Sequence, residues 1–185
     1  MNTKEYQSIV CEKLREIFLA ENIKNEWDAA KDSQDSLTRG MYCPRLDIAV
    51  GPFNINGRVE ANKRQIEEAR SRHQDLIGRI VHTSERHHYD VQDISSGLNK
   101  NPRCLLAIEI EASGSRKHML GDIANASILG SIGIVVPLTT GKLNAFIKIM
   151  KYIKFATKVK KLESSFNNVV IIGHDRFLEV LARSR

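Results

Sequence analysis

Cysteine, aromatic side chains and long apolar runs are all scarce in this chain, and each scarcity removes a class of protein. Cys11, Cys43 and Cys104 are odd in number and stand at no paired metal-ligand spacing. This argues against a disulfide framework and for a reducing compartment. No apolar segment approaches the roughly 20 residues needed to span a bilayer. The opening residues, MNTKEYQ, lack the apolar run of a signal peptide. A cytoplasmic protein with no membrane partner is expected. Phe, Tyr and Trp make up only 6% of the chain, and they show no stacking platform for single-stranded nucleic acid. Internal repeats and low-complexity tracts are absent.

What remains is enough for one domain. The 185 residues are 42% hydrophobic, sufficient for a sizeable core, and 28 basic against 22 acidic residues give a net charge of +6. That moderate basic excess permits a nucleic-acid partner.

Periodicity divides the chain into elements. Thr3 to about Ala20 reads as an amphipathic helix, with Tyr6, Ile9, Val10, Leu14, Ile17 and Phe18 at helical spacing. Asn2 is placed to cap it, with Glu5 completing a capping box. The segment around Trp27 suits an edge strand, and Lys31–Gly40 a polar loop. Cys43–Val50 is a strand, closed by the turn residues GPFNING. Arg58 to about Val81 is helix-permissive, with Ile66, Ala69, His73, Leu76 and Ile80 on a rough stripe; His82–Arg103 shows little periodicity. Residues 52–103 therefore read as an insertion. Cys104–Glu111 is the next strand. A helix from about Lys117 to Leu129 follows, capped by Ser115 and kept narrow by Gly121, Ala124 and Ala126. Gly133–Pro137 is a strand, Leu143–Leu162 a long helix, and Val169–Ile172 a last strand. Asp175 is expected to cap a terminal helix. Alternation of strands and helices toward the end implies right-handed crossovers and parallel pairing. The class is α/β with a mixed sheet.

Two strands carry an anomaly. In CLLAIEIE the residues Leu106, Ile108 and Ile110 share one face, while Leu105, Ala107, Glu109 and Glu111 share the other. In RLDIAV, Asp47 shares a face with Arg45 and Ala49. A strand this apolar is normally buried on both sides. Like charges on a buried face repel and lose hydration, so a positive charge is expected there. It is either a structural ion pair, with Arg45 or Lys117, or a hard cation held by Asp47, Glu109 and Glu111. Mg²⁺ favours carboxylate oxygens, water and phosphate oxygens, and it would polarise a phosphodiester and activate water.

An acid on one strand, then a strand ending Glu-x-Glu, then a helix on the sheet resembles the PD-(D/E)XK nuclease superfamily. The resemblance covers the core from the first helix to Pro137 and implies a restriction-endonuclease-like fold. It also implies a Mg²⁺-dependent endonuclease, with Mn²⁺ as a substitute ion, acting on DNA, and a homodimer where both strands are cut. Asp47 and Glu109 match the metal-binding positions, with Glu111 or the Ile110 carbonyl assisting. The third motif position, usually Lys, is Glu111 here. Some restriction enzymes of the superfamily carry Glu there; in other members the Lys has migrated to the following helix, where Lys117 is the candidate. Both alternatives stay open. The first helix often contributes an acid, which points to Glu16, and then to Glu5. The same fold can also serve as a binding module without cleavage, or act on another phosphate ester.

Further residues suit a polyanion. Arg116, Lys117 and His118 lie at a helix start, where backbone N–H groups bind phosphate, and Asn125 is two turns on from His118. Lys151, Lys154, Lys158 and Lys161 fall on one helical face, which is either solvated or tracks a phosphate backbone. Arg58, Lys63, Arg64, Arg70, Arg72 and Arg79 form a second basic set diluted by Glu60, Glu67 and Glu68. His82, His87 and His88 suggest zinc, but without a second ligand cluster a polar loop is the stronger reading.

Overall fold

A computed structural model describes residues 2–29, 44–53, 59–89, 99, 101–163 and 166–184. The elements in chain order are α1 (Thr3–Arg15), β1 (Ile23–Asp28), β2 (Arg45–Val50), α2 (Val59–Arg72), α3 (Gln74–Thr83), β3 (Cys104–Glu111), α4 (Arg116–Leu129), β4 (Gly130–Pro137), α5 (Thr140–Lys158), β5 (Val169–Ile171) and α6 (His174–Ala182). Short 3₁₀ turns occupy Ala20–Asn22 and Glu85–His88. Cys43, the loop at 31–40, the Asn54–Gly57 part of the expected turn, Arg58 and the whole 90–98 stretch lie outside the described residues.

The sheet has strand order β1-β2-β3-β4-β5. The first two pairings are antiparallel, while β3–β4 and β4–β5 are parallel, as the alternation of strands and helices requires. All eight residues of both β3 and β4 are buried. The cover comes from two sets of helices. On one side α1 and α3 pack on α6; on the other α4 packs on α5, and both α1 and α4 reach β2 and β3. The class is thus α/β, with a mixed five-stranded sheet flanked by helices.

Local chemistry explains most boundaries. Asn2 Oδ1 accepts from Glu5 N–H at 2.9 Å and Asn2 N–H donates to Glu5 Oε2 at 3.0 Å, a cap worth about 1 kcal/mol. The helix ends at Arg15, short of the expected Ala20. Beyond Leu14 the chain turns back on itself, with Ile17 and Phe18 N–H both donating to the Leu14 carbonyl. Phe18 then packs on the His73 ring, centroids 4.2 Å apart. Its helical spacing was therefore incidental. The expected helix over Arg58–Val81 is two helices broken at His73. Their Ile66, Leu76, Ile77 and Ile80, with Tyr89, join the same hydrophobic core as the strands. At the C-terminal helix the cap position is Gly173, and Asp175 sits exposed in the first turn rather than capping.

Helix α4 lies close on the sheet, and one contact sets how close. A Cβ placed on Gly133 would come within 2.8 Å of the Ala126 carbonyl carbon and 2.9 Å of its oxygen. Of the small residues expected to narrow this helix, Ala126 makes the approach; Gly121 faces open space.

Candidate functional site

The β2–β3 register pairs Ile48 with Ile108 and Ala49 with Ala107; one residue further it sets Asp47 opposite Glu109. Here the backbone ladder gives way to side chains. Asp47 N–H donates to Glu109 Oε2 at 3.3 Å, and Ile110 N–H donates to Asp47 Oδ2 at 2.7 Å. The other Glu109 oxygen, Oε1, accepts from Asn125 Nδ2 at 3.2 Å. Glu111 Oε1 accepts from Gly114 N–H, and the Gly114 carbonyl accepts from Lys142 Nζ. The sequence-derived acids and Asn125 are thus brought together at one end of the sheet.

A fourth acid joins them. Asp122, one turn before Asn125 on α4, sits beside Glu111, whose charge raises its pKa, and its Oδ2 is buried with no hydrogen-bond partner among the described residues. Burial pushes the Glu109 carboxyl up to about 9, and the Asp47 and Asp122 charges push the same way. Asp122 rises to about 7 through burial, then the charges of Glu111 and Asp47. Asp47 is also raised by burial, against the opposing bond from the Ile110 N–H. These shifts are what crowded, desolvated carboxylates must show.

No described Lys or Arg forms an ion pair with any of the four. Arg45 turns to Glu26, Nε to Oε2 at 3.1 Å, and Lys117 is exposed. The ion-pair alternative through either residue is therefore not what this arrangement shows. Lys142, at the start of α5, is one hydrogen bond from the loop that caps Glu111, while the Arg45 charge acts on Asp47 from its ion pair with Glu26.

Other expected residues fall elsewhere. Glu16 caps the C-terminus of α1 beside Asn22, Gly51 and Pro52. That is four residues along β2 from Asp47, about 13 Å, so it does not join the acids. Glu5 is engaged in the α1 cap. From α1 it is Gln7 that reaches the site, Nε2 donating to the Asp47 carbonyl at 2.6 Å. Arg116, Lys117 and His118 are exposed at the N-terminus of α4, capped by Ser115 as expected. The lysine face begins far away. Lys151 and Lys158 are exposed, about 14 and 24 Å along the α5 axis from Lys142. Lys154 is half-buried and donates to Asn167 Oδ1, and Lys161 lies beyond the helix end. Tyr152 (68%) and Phe155 (57%) on the same helix are also exposed.

Three residues of the site were missed in the sequence, and two had a signal. Asp122 is an acid among Gly, Ala and Ile at i−3 from Asn125, the same anomaly as in the strands. Lys142 is a cation in a helix first turn that lacks any acid, against the macrodipole preference. Gln7, a buried amide within an apolar stripe, had none. Comparison with known proteins gives no match: no family model, no curated protein and no solved structure resembles the chain.

The donors are of the type a hard divalent cation takes: all are oxygen, and one buried carboxylate oxygen, Asp122 Oδ2, is satisfied by no described residue. The four acids do not stand in a ready-made cage: among the described residues, the group of His, Cys, Asp and Glu whose ligand atoms all lie within 4.8 Å of one another is Glu85, His87 and His88.

Proposed function

We propose that the chain is a metal-dependent nuclease of the restriction-endonuclease-like fold that hydrolyses phosphodiester bonds in DNA. The observation that carries the reading is the buried Oδ2 of Asp122, which no described residue satisfies, beside the charges of Asp47, Glu109 and Glu111. Asp47, Glu109 and Asp122 would hold Mg²⁺, with Glu111 or the Ile110 carbonyl completing the set. When bound, the ion would polarise the scissile phosphate and lower the pKa of water.

The chain's own groups supply the rest. Arg116, Lys117 and His118, with free N–H groups of the α4 first turn, attract the phosphate and fix its position. Gln7 and Asn125 hold Asp47 and Glu109 through hydrogen bonds to the Asp47 carbonyl and the Glu109 carboxylate. Glu111 is committed to the Gly114 N–H, which leaves a lysine as the better group to orient or deprotonate water. Lys142, which donates to the Gly114 carbonyl beside Glu111, and Lys117, in the first turn of α4, are the candidates.

A second reading has its own support. Asp47, Glu109 and Glu111 each cap a backbone N–H, a structural task that needs no ion, and the fold would then bind nucleic acid without cutting it. Incubation with plasmid, single-stranded and branched DNA in Mg²⁺ or Mn²⁺ separates the two. Cleavage is expected from the wild type and loss of at least about 10²-fold from Asp47→Asn. Wild-type protein that binds DNA but never cuts it under either ion would establish the binding module instead.

A further inference from the structure

A second cluster of ligating side chains stands outside the acid site, on the 3₁₀ turn Glu85–His88 beside the β5 edge. His88 Nε2 lies 3.2 Å from Glu85 Oε2, and His87 Nε2 lies 4.0 Å from the same oxygen. All three ligand atoms fall within 4.8 Å of one another. A tetrahedral ion with bonds of about 2.0–2.1 Å separates its ligands by about 3.4 Å. One edge of that polyhedron is therefore already formed, and modest rotation of two exposed imidazoles closes the others.

The surroundings are those of a held site. Glu85 is buried, and its other oxygen, Oε1, accepts from Arg176 Nη1 at 2.8 Å. That leaves Oε2 directed at the histidines, as an outer hydrogen bond does for a ligating carboxylate. The turn itself is anchored at both ends. Ser84 Oγ donates to the Val81 carbonyl at 2.7 Å, and buried Tyr89 accepts from the Ile171 N–H of β5 at 3.2 Å. His87 and His88, with side chains 62% and 47% exposed, leave a path for an ion and an open coordination position.

We propose that Glu85, His87 and His88 form a transition-metal site of the zinc class, separate from the acid cluster and independent of the nuclease reading. Two imidazole nitrogens and one carboxylate oxygen suit Zn²⁺ and discriminate against Mg²⁺, which takes oxygen ligands. The sequence offered only the histidines; the fold adds the buried glutamate.

The test is a Zn²⁺ titration of the full chain in excess Mg²⁺, read by calorimetry or chelator competition. One Zn²⁺ per chain is expected in the wild type and in Asp47→Asn. In the double variant His87→Ala/His88→Ala, affinity should fall by about 100-fold or more, with an unchanged circular dichroism spectrum. X-ray absorption of the Zn²⁺-loaded wild type should show two imidazoles. No saturable Zn²⁺ site in the wild type overturns the proposal, as does full retention in the double variant or loss in Asp47→Asn, which would put the zinc among the acids.

Discussion

Metal binding at the acid cluster should release protons, and the number follows from the carboxyls that burial keeps protonated. With Glu109 at about 9 and Asp122 at about 7, the metal-free protein at pH 7 carries nearly one proton on the first and half a proton on the second. A divalent ion held by these oxygens requires them ionised, so binding should expel about 1.5 protons at pH 7, about 1 at pH 8, and almost none by pH 10. The sign is fixed: affinity for Mg²⁺ or Mn²⁺ rises with pH, about tenfold per unit between pH 7.5 and 8.5 and more steeply below 7. Mn²⁺ titration by calorimetry in buffers of different ionisation enthalpy gives the proton count directly. A release below about 0.3 protons at pH 7, with Mn²⁺ still bound, would refute the reasoning, because ions bound by exposed, already ionised acids expel none.

Three further outcomes test the site from other directions. Asp122 has a folded pKa above its ordinary value, so its contribution to stability falls as pH rises from about 4 to 7 and stays low above; Asp122→Asn in chelator should melt a few °C higher at pH 8 but not at pH 4, and equal melting at both would show that Asp122 is not under strain from its neighbours. A Cβ at Gly114 would press on Glu111 Oε2, the far end of a flexible side chain, so Gly114→Ala should cost no more than about 1 kcal/mol in a denaturant titration; Mn²⁺ binding should weaken about tenfold where Glu111 completes the metal set and stay unchanged where the Ile110 carbonyl does. Lys117→Ala and Lys142→Ala, assayed on plasmid with Mn²⁺ affinity measured in parallel, should divide cleanly: the lysine that acts on water loses about 10²-fold in cleavage with metal binding kept, and normal cleavage by both variants would return that role to Glu111.

The sequence was most legible where one period governed a buried element. The limits of β3 are those the alternation CLLAIEIE defines, and the parallel order of the last three strands follows from the helices between them. The anomaly of acids among aliphatics singled out Asp47, Glu109 and Glu111, which the fold brings to one end of the sheet, because burying a charge is costly enough to need a reason. It stopped short where the reason lay in another element. Glu16 looked plausible beside an apolar stripe, but helix direction places it at the far end of β2, and no one-dimensional spacing carries that information. Phe18 continued the α1 stripe numerically while serving a contact with His73. The Glu85–His87–His88 group was hidden for the converse reason: a buried Glu in a polar segment looks like any other until the turn is folded.

The close approach of Gly133 to Ala126 ties core packing to the acids in a way that changes how variants should be interpreted. Ala126 is one residue from Asn125 and four from Asp122, about 6 Å along α4. A methyl group at position 133 would push on the helix backbone itself, which has no flexible end to yield, and the helix would carry both ligand-side residues with it. A random screen for inactive variants would then return Gly133 and Ala126 alongside the acids. Neither has a functional group, and under the proposed metal-dependent reading their phenotype would be that of a mislaid Asp122: an intact fold, a shifted oxygen, and a lost ion.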